Sequence, residues 1–350
     1  MKSIIILLAC SILLFGCIIG GGENNQTNQT PSDNNTVQNQ TPAKNTTVTV
    51  IINPQKNQTI EQNVTVNESQ PPVQPPSKNI TYDYEPSKPM VVYFIDIGEP
   101  AHGNAILIKK GDLDVLVDGG PGVNAGKVVD FLRSRGVDDI DLMISSNPDP
   151  RNYGGLDSVA DQYKVENFWW NGEQLNDNNY ATLVNKMKGI TKDTKIVGEE
   201  DLIELNGITF EVLNPSKTTP TNDVNNDGIV LRVSEGNFSM LLTSGIQTGT
   251  QGRLLSAVPE KVTADVMLAP YYGVGAGTSN MARWLSKAAP KTMIITGSAD
   301  ESPPNGGSRD PFKRLMKEYK VAWYETYING TIRVTTDGTS YGVYSFGKGQ

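Results

Sequence analysis

The sequence predicts an α/β (α+β) fold of four layers over residues 90–346: two sheets face to face, with helices on both outer sides. Three observations carry this. Residues 90–145 read as three short strands, a helix and a further strand. The second half of the chain repeats the mixture, with hairpin-connected strands and single helices. Between the halves, ISSNPDPRNYGGL at 144–156 joins the apolar run around Leu142 and Met143 to a helix start through a polar, functional-looking loop.

The elements follow in order. Residues 91–98 (VVYFIDIG) form an apolar strand ending at a turn, and 104–108 and 114–117 are two short strands about the turn Lys110-Gly111-Asp112. Asp118-Gly119-Gly120 closes the third. Residues 126–135 are helical, with Val128, Val129, Phe131 and Leu132 on one side and Gly136 as the stop. Strands follow at 140–145 and 165–170, and a helix at 180–187. Strands are expected around Ile203 and at 208–213, 229–233, 238–242, 266–268, 292–296 and 322–324. Helices are expected at 251–257, 280–288 and 311–319, and a closing hairpin at 332–335 and 341–344.

Composition limits the chemistry. The 350 residues carry a net charge of −8, which argues against a phosphate backbone as partner. There is one histidine, His102, so no His-cluster metal site can form. The two cysteines, Cys10 and Cys17, lie in the first 17 residues and leave the rest without a thiolate or a disulfide.

Residues 1–17 read as a secretory signal: Met1-Lys2, an apolar run, then Leu14-Phe15-Gly16-Cys17. That ending resembles a lipobox, with Cys17 as the lipidated residue. The apolar run is shorter than the ~20 residues of a membrane span. Residues 18–89 are rich in Asn, Thr, Gln and Pro and too poor in apolar groups to fold, so a disordered stalk is expected, with TVTVII at 47–52 its one strand-like patch. Sequons at Asn25, Asn28, Asn34, Asn39, Asn45, Asn57, Asn63, Asn67 and Asn79 make it glycosylatable. The expected location is therefore extracytoplasmic, anchored to the cell membrane by lipid.

Several segments, in the same order along the chain, resemble the extracellular metallo-β-lactamase-like domain of the ComEC/Rec2 competence family. Phe94-Ile95-Asp96-Ile97-Gly98, then Gly103-Asn104-Ala105-Ile106-Leu107-Ile108, is similar to that family's opening FIDVGQGDAILI, with an insertion through His102. Val117-Asp118-Gly119-Gly120 resembles IDGG, and residues 226–233 resemble its N..SLVLRL segment. Met240-Leu241-Leu242-Thr243-Ser244-Gly245 resembles FLLTGD, and residues 267–274 resemble LKVPHHGS. The resemblance implies the metallo-β-lactamase αββα sandwich and places a metal centre at the loop 147–152. At the implied ligand positions stand Asn147, Asp149, Arg151, Asn152, Gly245, Tyr271, Tyr272 and Asp310. None of the family's histidines is kept. Asn is a weak neutral ligand, Gly has no side chain, and Tyr is seldom deprotonated with a pKa near ~10. Arg151 brings a permanent positive charge to where a cation would sit.

Asp149, Asp118 and His102 are the remaining candidates for catalysis. His102 is either a lone general base or ligand-binding group, or a solvent-facing loop residue. Asp118 is either a base or a cap taking backbone N–H bonds. Arg151 either ties Asp149, and with it Asp310, in place of the lost cation, or points to water. The aromatic pairs Trp169-Trp170, Tyr271-Tyr272 and Trp323-Tyr324 can place one member each toward the core, an exposed member being free to stack on a sugar or base. NDVNNDG at 222–228 resembles part of a calcium loop, but the twelfth position from Asp223 is Ser234, so it reads as a turn. Residues 298–310 form a long loop beside the expected mouth, suited to a lid or a recognition role.

The function expected is a lipid-anchored surface protein with a degenerate hydrolase domain, a non-catalytic binding or scaffold protein that needs no cofactor. Its partners would be membrane lipid through Cys17 and an unidentified surface ligand or protein. The alternative is an extracellular metal-dependent hydrolase of phosphodiesters or other esters, with zinc or another divalent ion in a remodelled site and kinship to DNA-uptake proteins.

Overall fold

The structure is a computed structural model and describes residues 45–52, 58–65, 80–98, 102–173, 178–274, 278–298 and 309–348. All of these lie in the second of two compact units, Met1–Pro42 and Ala43–Gln350. Strands β1 (Asn45–Ile52) and β2 (Gln58–Thr65) pair antiparallel within the stretch expected to be a stalk. The leader, Cys17 and the sequons up to Asn39 and at Asn57, Asn67 and Asn79 lie outside the described residues, as do 299–308 of the expected lid loop.

The first half runs β3 (Met90–Phe94), β4 (Ala105–Lys110), β5 (Leu113–Gly119), α1 (Ala125–Ser134), β6 (Ile140–Ser145), α2 (Pro150–Tyr153), α3 (Leu156–Gln162), β7 (Val165–Trp170), α4 (Asn178–Ile190) and β8 (Asp193–Ile196). The second half runs β9 (Leu202–Leu205), β10 (Ile208–Asn214), β11 (Val230–Glu235), β12 (Phe238–Leu242), α5 (Thr248–Ala257), β13 (Val266–Leu268), α6 (Thr278–Ala288), β14 (Thr292–Ile295), α7 (Asp310–Glu318), β15 (Ala322–Glu325) and α8 (Thr326–Asn329). The chain then returns to the first sheet with β16 (Ile332–Thr336) and β17 (Tyr341–Ser345). One sheet has the order β17-β16-β3-β4-β5-β6-β7-β8, the other β15-β14-β13-β12-β11-β10-β9. Strands β5 to β8 are parallel, and so are β12 to β15.

Three apolar cores separate the layers, because alternate residues on each strand face opposite sides. Met90, Val92, Phe94, Val115 and Val117 meet Phe210, Val212, Met240 and Leu242 between the sheets. Leu107, Leu116 and Met143 face outward onto Val128 and Leu132 of α1 and Leu183 and Met187 of α4. Leu241, Met267 and Met293 face the other way, onto Leu254 of α5, Trp284 of α6 and Phe312 of α7. Burying each such side chain contributes about 1.5–3 kcal/mol. The result is the four-layer αββα sandwich that the sequence predicts.

Several details differ from the sequence reading. Described residues ahead of Met90 also pack onto the sandwich. Ile80 is buried and Tyr82 packs on the inner core, while the Thr81 N–H donates to Glu166 Oε2 at 3.0 Å. Both members of Trp169-Trp170 and of Trp323-Tyr324 pack, one into the inner core and one outward, because helices cover the outer faces. Strand β8 (DTKI) was not expected, since an edge strand this polar has no apolar alternation to reveal it.

Two glycine pairs set how closely the key loop approaches β5. A Cβ on Gly155 would lie 2.0 Å from the Gly119 carbonyl oxygen, and one on Gly119 would lie 2.7 Å from the Leu156 nitrogen. The Gly155 N–H donates to the Gly120 carbonyl at 2.8 Å. Side chains at 119 and 155 would force the loop away from the end of β5.

Candidate functional site

The ends of β5, β6, β12 and β13 bring the candidate residues together at one end of the sandwich. Four non-glycine residues here have left-handed backbone: Asp118 (φ 59°), Ser244 (φ 49°), Tyr271 (φ 47°) and Tyr272 (φ 57°). Such conformations are uncommon outside glycine and persist only where the surroundings enforce them.

Asp118 is 1% exposed at the end of β5. Its two oxygens accept from Ser146, one from the backbone N–H at 2.8 Å and one from Oγ at 2.7 Å. Ser146 Oγ also lies 2.8 Å from Ser244 Oγ. Burial pushes the Asp118 carboxyl up to about 7, against the lowering effect of the Ser146 bonds. The capping role is therefore filled, but by a loop residue across the strand ends.

Asp149 caps α2, accepting the Arg151 N–H at 2.9 Å, and Pro150 follows at the first helical position. The Arg151 side chain turns back on it, with Nε 2.9 Å from Oδ1 and 3.0 Å from Oδ2, and Nη2 also bonds Oδ2. The guanidinium carbon sits 5.9 Å from the ring centre of Tyr271 and 5.4 Å from that of Tyr272. Burial works against the charge, but the Asp149 bond and the neighbouring acidic groups outweigh it, so the Arg151 pKa is raised.

Asn147 and Asn152 are fully buried amides, and Asn152 Nδ2 donates to Asn147 Oδ1 at 2.8 Å. Asn152 Oδ1 accepts from the Asn104 N–H at 3.1 Å and from Tyr272 Oη at 2.9 Å. Burial, then Asp149, holds the Tyr272 hydroxyl above its ordinary pKa and so protonated. Among the described residues Asn147 Nδ2 has no acceptor. Gly245 stands beside it: a Cβ there would be 3.3 Å from Asn147 Nδ2 and 2.7 Å from Asn225 Oδ1.

His102 does not face solvent as one sequence reading had it. Its Nδ1 lies 3.5 Å from Arg309 Nη2, and its ring is 6.2 Å from that of Tyr272. Asp310 does not join Arg151. It is exposed in the first turn of α7, and the guanidinium is taken by Asp149. The preceding residue, Arg309, enters instead. It is fully buried and donates from Nε to the Tyr272 carbonyl at 3.0 Å and from Nη1 to the Ser298 carbonyl at 2.8 Å. Tyr271 and Tyr272 are not a strand pair. They occupy the 3-10 turn Pro270–Gly273 after β13, and both rings are buried.

Sequence reasoning missed Arg309, Ser146, Ser244 and Asn104. Arg309, Ser146 and Ser244 each had a signal as neighbours of the flagged Asp310, Asn147 and Gly245, and Asn104 stands in the segment that resembles the family's opening. The turn at 222–228 uses its own carboxylates: Asp227 accepts the Thr221 N–H at 2.9 Å with either oxygen, and Asp223 Oδ1 takes the Asn225 and Asn226 N–H groups at 3.0 and 2.8 Å.

These residues do not fit a metal ion. A zinc or dimetal centre needs deprotonated or strongly donating ligands arranged around one point. Here the amide oxygens accept from protein donors, the Tyr272 hydroxyl donates, Gly245 supplies nothing and a guanidinium faces the carboxylate. Among the described residues no group of three His, Cys, Asp or Glu side chains could hold a metal.

The two stacked sheets, the outer helices and this cluster at the strand ends define a metallo-β-lactamase-fold protein. Similar solved structures are the metallo-β-lactamase-fold protein YhfI from Bacillus subtilis, with TM-score 0.47 and 12% identity over 70% of this chain and 99% of that one, and a diphosphatase of the PhnP family, with TM-score 0.42 and 12% identity over 71% and 98%. Among curated proteins the chain is similar to ComE operon protein 3 of Bacillus subtilis (strain 168), with 21% identity over 206 residues, 59% of this chain. The match covers 26% of that relative's length. No family model matches.

Proposed function

We propose that the chain is a cell-surface binding or scaffold protein, held to the membrane by lipid on Cys17, whose metallo-β-lactamase-type centre works without a metal and without turnover. One observation carries the reading: the Arg151 guanidinium is paired to Asp149 beside Tyr271 and Tyr272, at positions where the resemblance implies metal ligands. A cation brought within ~4 Å of it would be repelled by several kcal/mol at an effective dielectric of 20. Likeness to a ComE operon protein favours a place near DNA uptake, while the charge of −8 opposes direct grip on a phosphate backbone. The competing reading is a metal-dependent phosphodiester or ester hydrolase with a remodelled site. Metal analysis of the purified chain, with a generic phosphodiesterase assay in added Mn2+ or Zn2+, separates the two. The binding reading expects neither stoichiometric metal nor turnover. Zinc at one or more equivalents, with turnover lost in Asp149→Ala, would overturn it. Release from membranes by Cys17→Ser tests the anchor.

A further inference from the structure

A cleft of about 200 Å3 opens on the helix side of the eight-stranded sheet, between the end of β7 and α4, and shares no residue with the centre described above. Its apolar wall is Trp170 and Tyr180, 3% and 2% exposed, with ring centres 6.2 Å apart, and Val184 beside them. Its polar groups are incomplete. Trp170 Nε1 is a buried donor with no acceptor among the described residues, whereas buried donors are ordinarily paired. The Lys188 ammonium sits 5.5 Å from the Trp170 ring centre and has no carboxylate partner among the described residues. Glu173 also lines the cleft, and among the described residues its carboxylate accepts one long bond, from Asn171 Nδ2 to Oε2 at 3.4 Å. Burial, then Asp227, raises the pKa of Glu173, so a donor reaching it would be favoured.

An ammonium with no carboxylate partner among the described residues and a carboxylate thus line one cleft, beside the Trp170 and Tyr180 rings. We propose that this cleft binds a small carboxylate of one-ring size that also carries a hydroxyl or ammonium donor. The ligand carboxylate meets the Lys188 ammonium, its donor meets Glu173, and its apolar face lies on Trp170, Tyr180 and Val184. The volume is below the roughly 300–1,000 Å3 of drug-sized sites, which fits a single sugar ring or amino acid. A sugar acid and an aromatic amino acid share this chemistry. The proposal is independent of whether the centre turns over. The cleft also adjoins that centre's base, since Tyr180 Oη is 3.3 Å from Ser145 Oγ, the residue before the loop.

The test uses the indole N–H resonances of the four tryptophans in the full chain, with that of Trp170 assigned by its loss in Trp170→Phe. Titration with D-glucuronate and with L-phenylalanine should shift the Trp170 resonance saturably for at least one of them, and glucose should not. Lys188→Met should weaken binding at least tenfold while leaving the other indole resonances in place. Glu173→Gln should weaken phenylalanine, whose ammonium needs the charge, more than glucuronate, which tells the two sources apart. No saturable shift with either acid, equal binding of glucose, or unchanged affinity in Lys188→Met would each overturn the proposal.

Discussion

Arg151 meets Asp149 edge-on: Nε lies 2.9 and 3.0 Å from the two carboxylate oxygens, while the Arg151 backbone N–H donates to the same group at 2.9 Å. One carboxylate thus fixes both the start of α2 and the side chain that fills the centre. Arg151→Ala should lower stability by about 1–3 kcal/mol, between the values for exposed and for fully buried pairs. Arg151→Lys should recover less than half, because a point charge cannot span both oxygens. Urea unfolding of the three proteins measures this, and an unchanged midpoint in Arg151→Ala would show that the loop does not depend on the pair.

Stability should fall as pH rises through neutrality. Burial pushes Asp114 and Asp118 up to about 7 and Asp141 up to about 8. An unfolded Asp titrates near ~3.9, so the native state holds these protons more tightly. Their contribution is full below about pH 4 and is lost as pH rises to about 8. Glu166 and Asp201 oppose this: burial disfavours their charge, but lysine bonds outweigh it and lower both pKa values, so their contribution is lost on acidification. Asp141→Asn tests the alkaline limb. Asp141 Oδ2 accepts the Asp114 N–H at 2.7 Å, a bond the amide oxygen can keep, and Oδ1 has no partner among the described residues. The variant should be more stable than the parent at pH 8.5 by on the order of 1 kcal/mol, with a shallower decline between pH 5 and 8. Parallel pH profiles for the two proteins would refute the assignment.

The fold was legible in the sequence because burial on one or both faces imposes a period, and Val91 to Phe94 or Ile140 to Ile144 cannot hide it. The frame of the centre was legible too, through Asp118-Gly119-Gly120 and Gly154-Gly155, whose glycines are required by close backbone approach. Its filling was not. Arg309 lies in a polar stretch that reads as a surface loop, yet it is fully buried and donates to the carbonyls of Tyr272, 37 residues back, and of Ser298 at the other end of its own loop. Asp310, one residue on, points outward for the same reason: a helix start decides which neighbour turns in. The strand expected at 266–268 left Tyr271 and Tyr272 without an element, because periodicity cannot register a turn with positive φ.

The boundary of the domain is open to a direct test. A chain beginning at Met90 loses the buried Ile80, the Tyr82 contact with the inner core and the 2.6 Å bond from the Asn206 N–H to Tyr82 Oη. Relative to a chain beginning at residue 80 it should be less stable by about 2–3 kcal/mol, mostly from one apolar side chain. Paired urea titrations of the two truncations measure the difference. Equal midpoints would mean that residues 80–89 only lie on the surface.

Restoring one acidic group should not restore a metal. Gly245 occupies the position where the resemblance implies a carboxylate ligand, so Gly245→Asp is the smallest step back toward a hydrolase. A Cβ there would meet Asn225 Oδ1 at 2.7 Å, and Asn225 must shift to admit it. Overpacking of this kind costs about 1–3 kcal/mol, so both Gly245→Ala and Gly245→Asp should unfold at lower urea than the parent. The new carboxylate would lie toward Asn147 Nδ2, a donor without an acceptor among the described residues, and that bond competes with any ion for its oxygens. Asp149 remains taken by Arg151, and Asn152 by Asn104 and Tyr272. Gly245→Asp should therefore retain less than a tenth of an equivalent of zinc after dialysis. The double variant Gly245→Asp with Arg151→Ala, which frees Asp149, should retain more. Stoichiometric zinc in the single variant would mean that Arg151 yields to a cation and that the centre is a metal site waiting for one ligand.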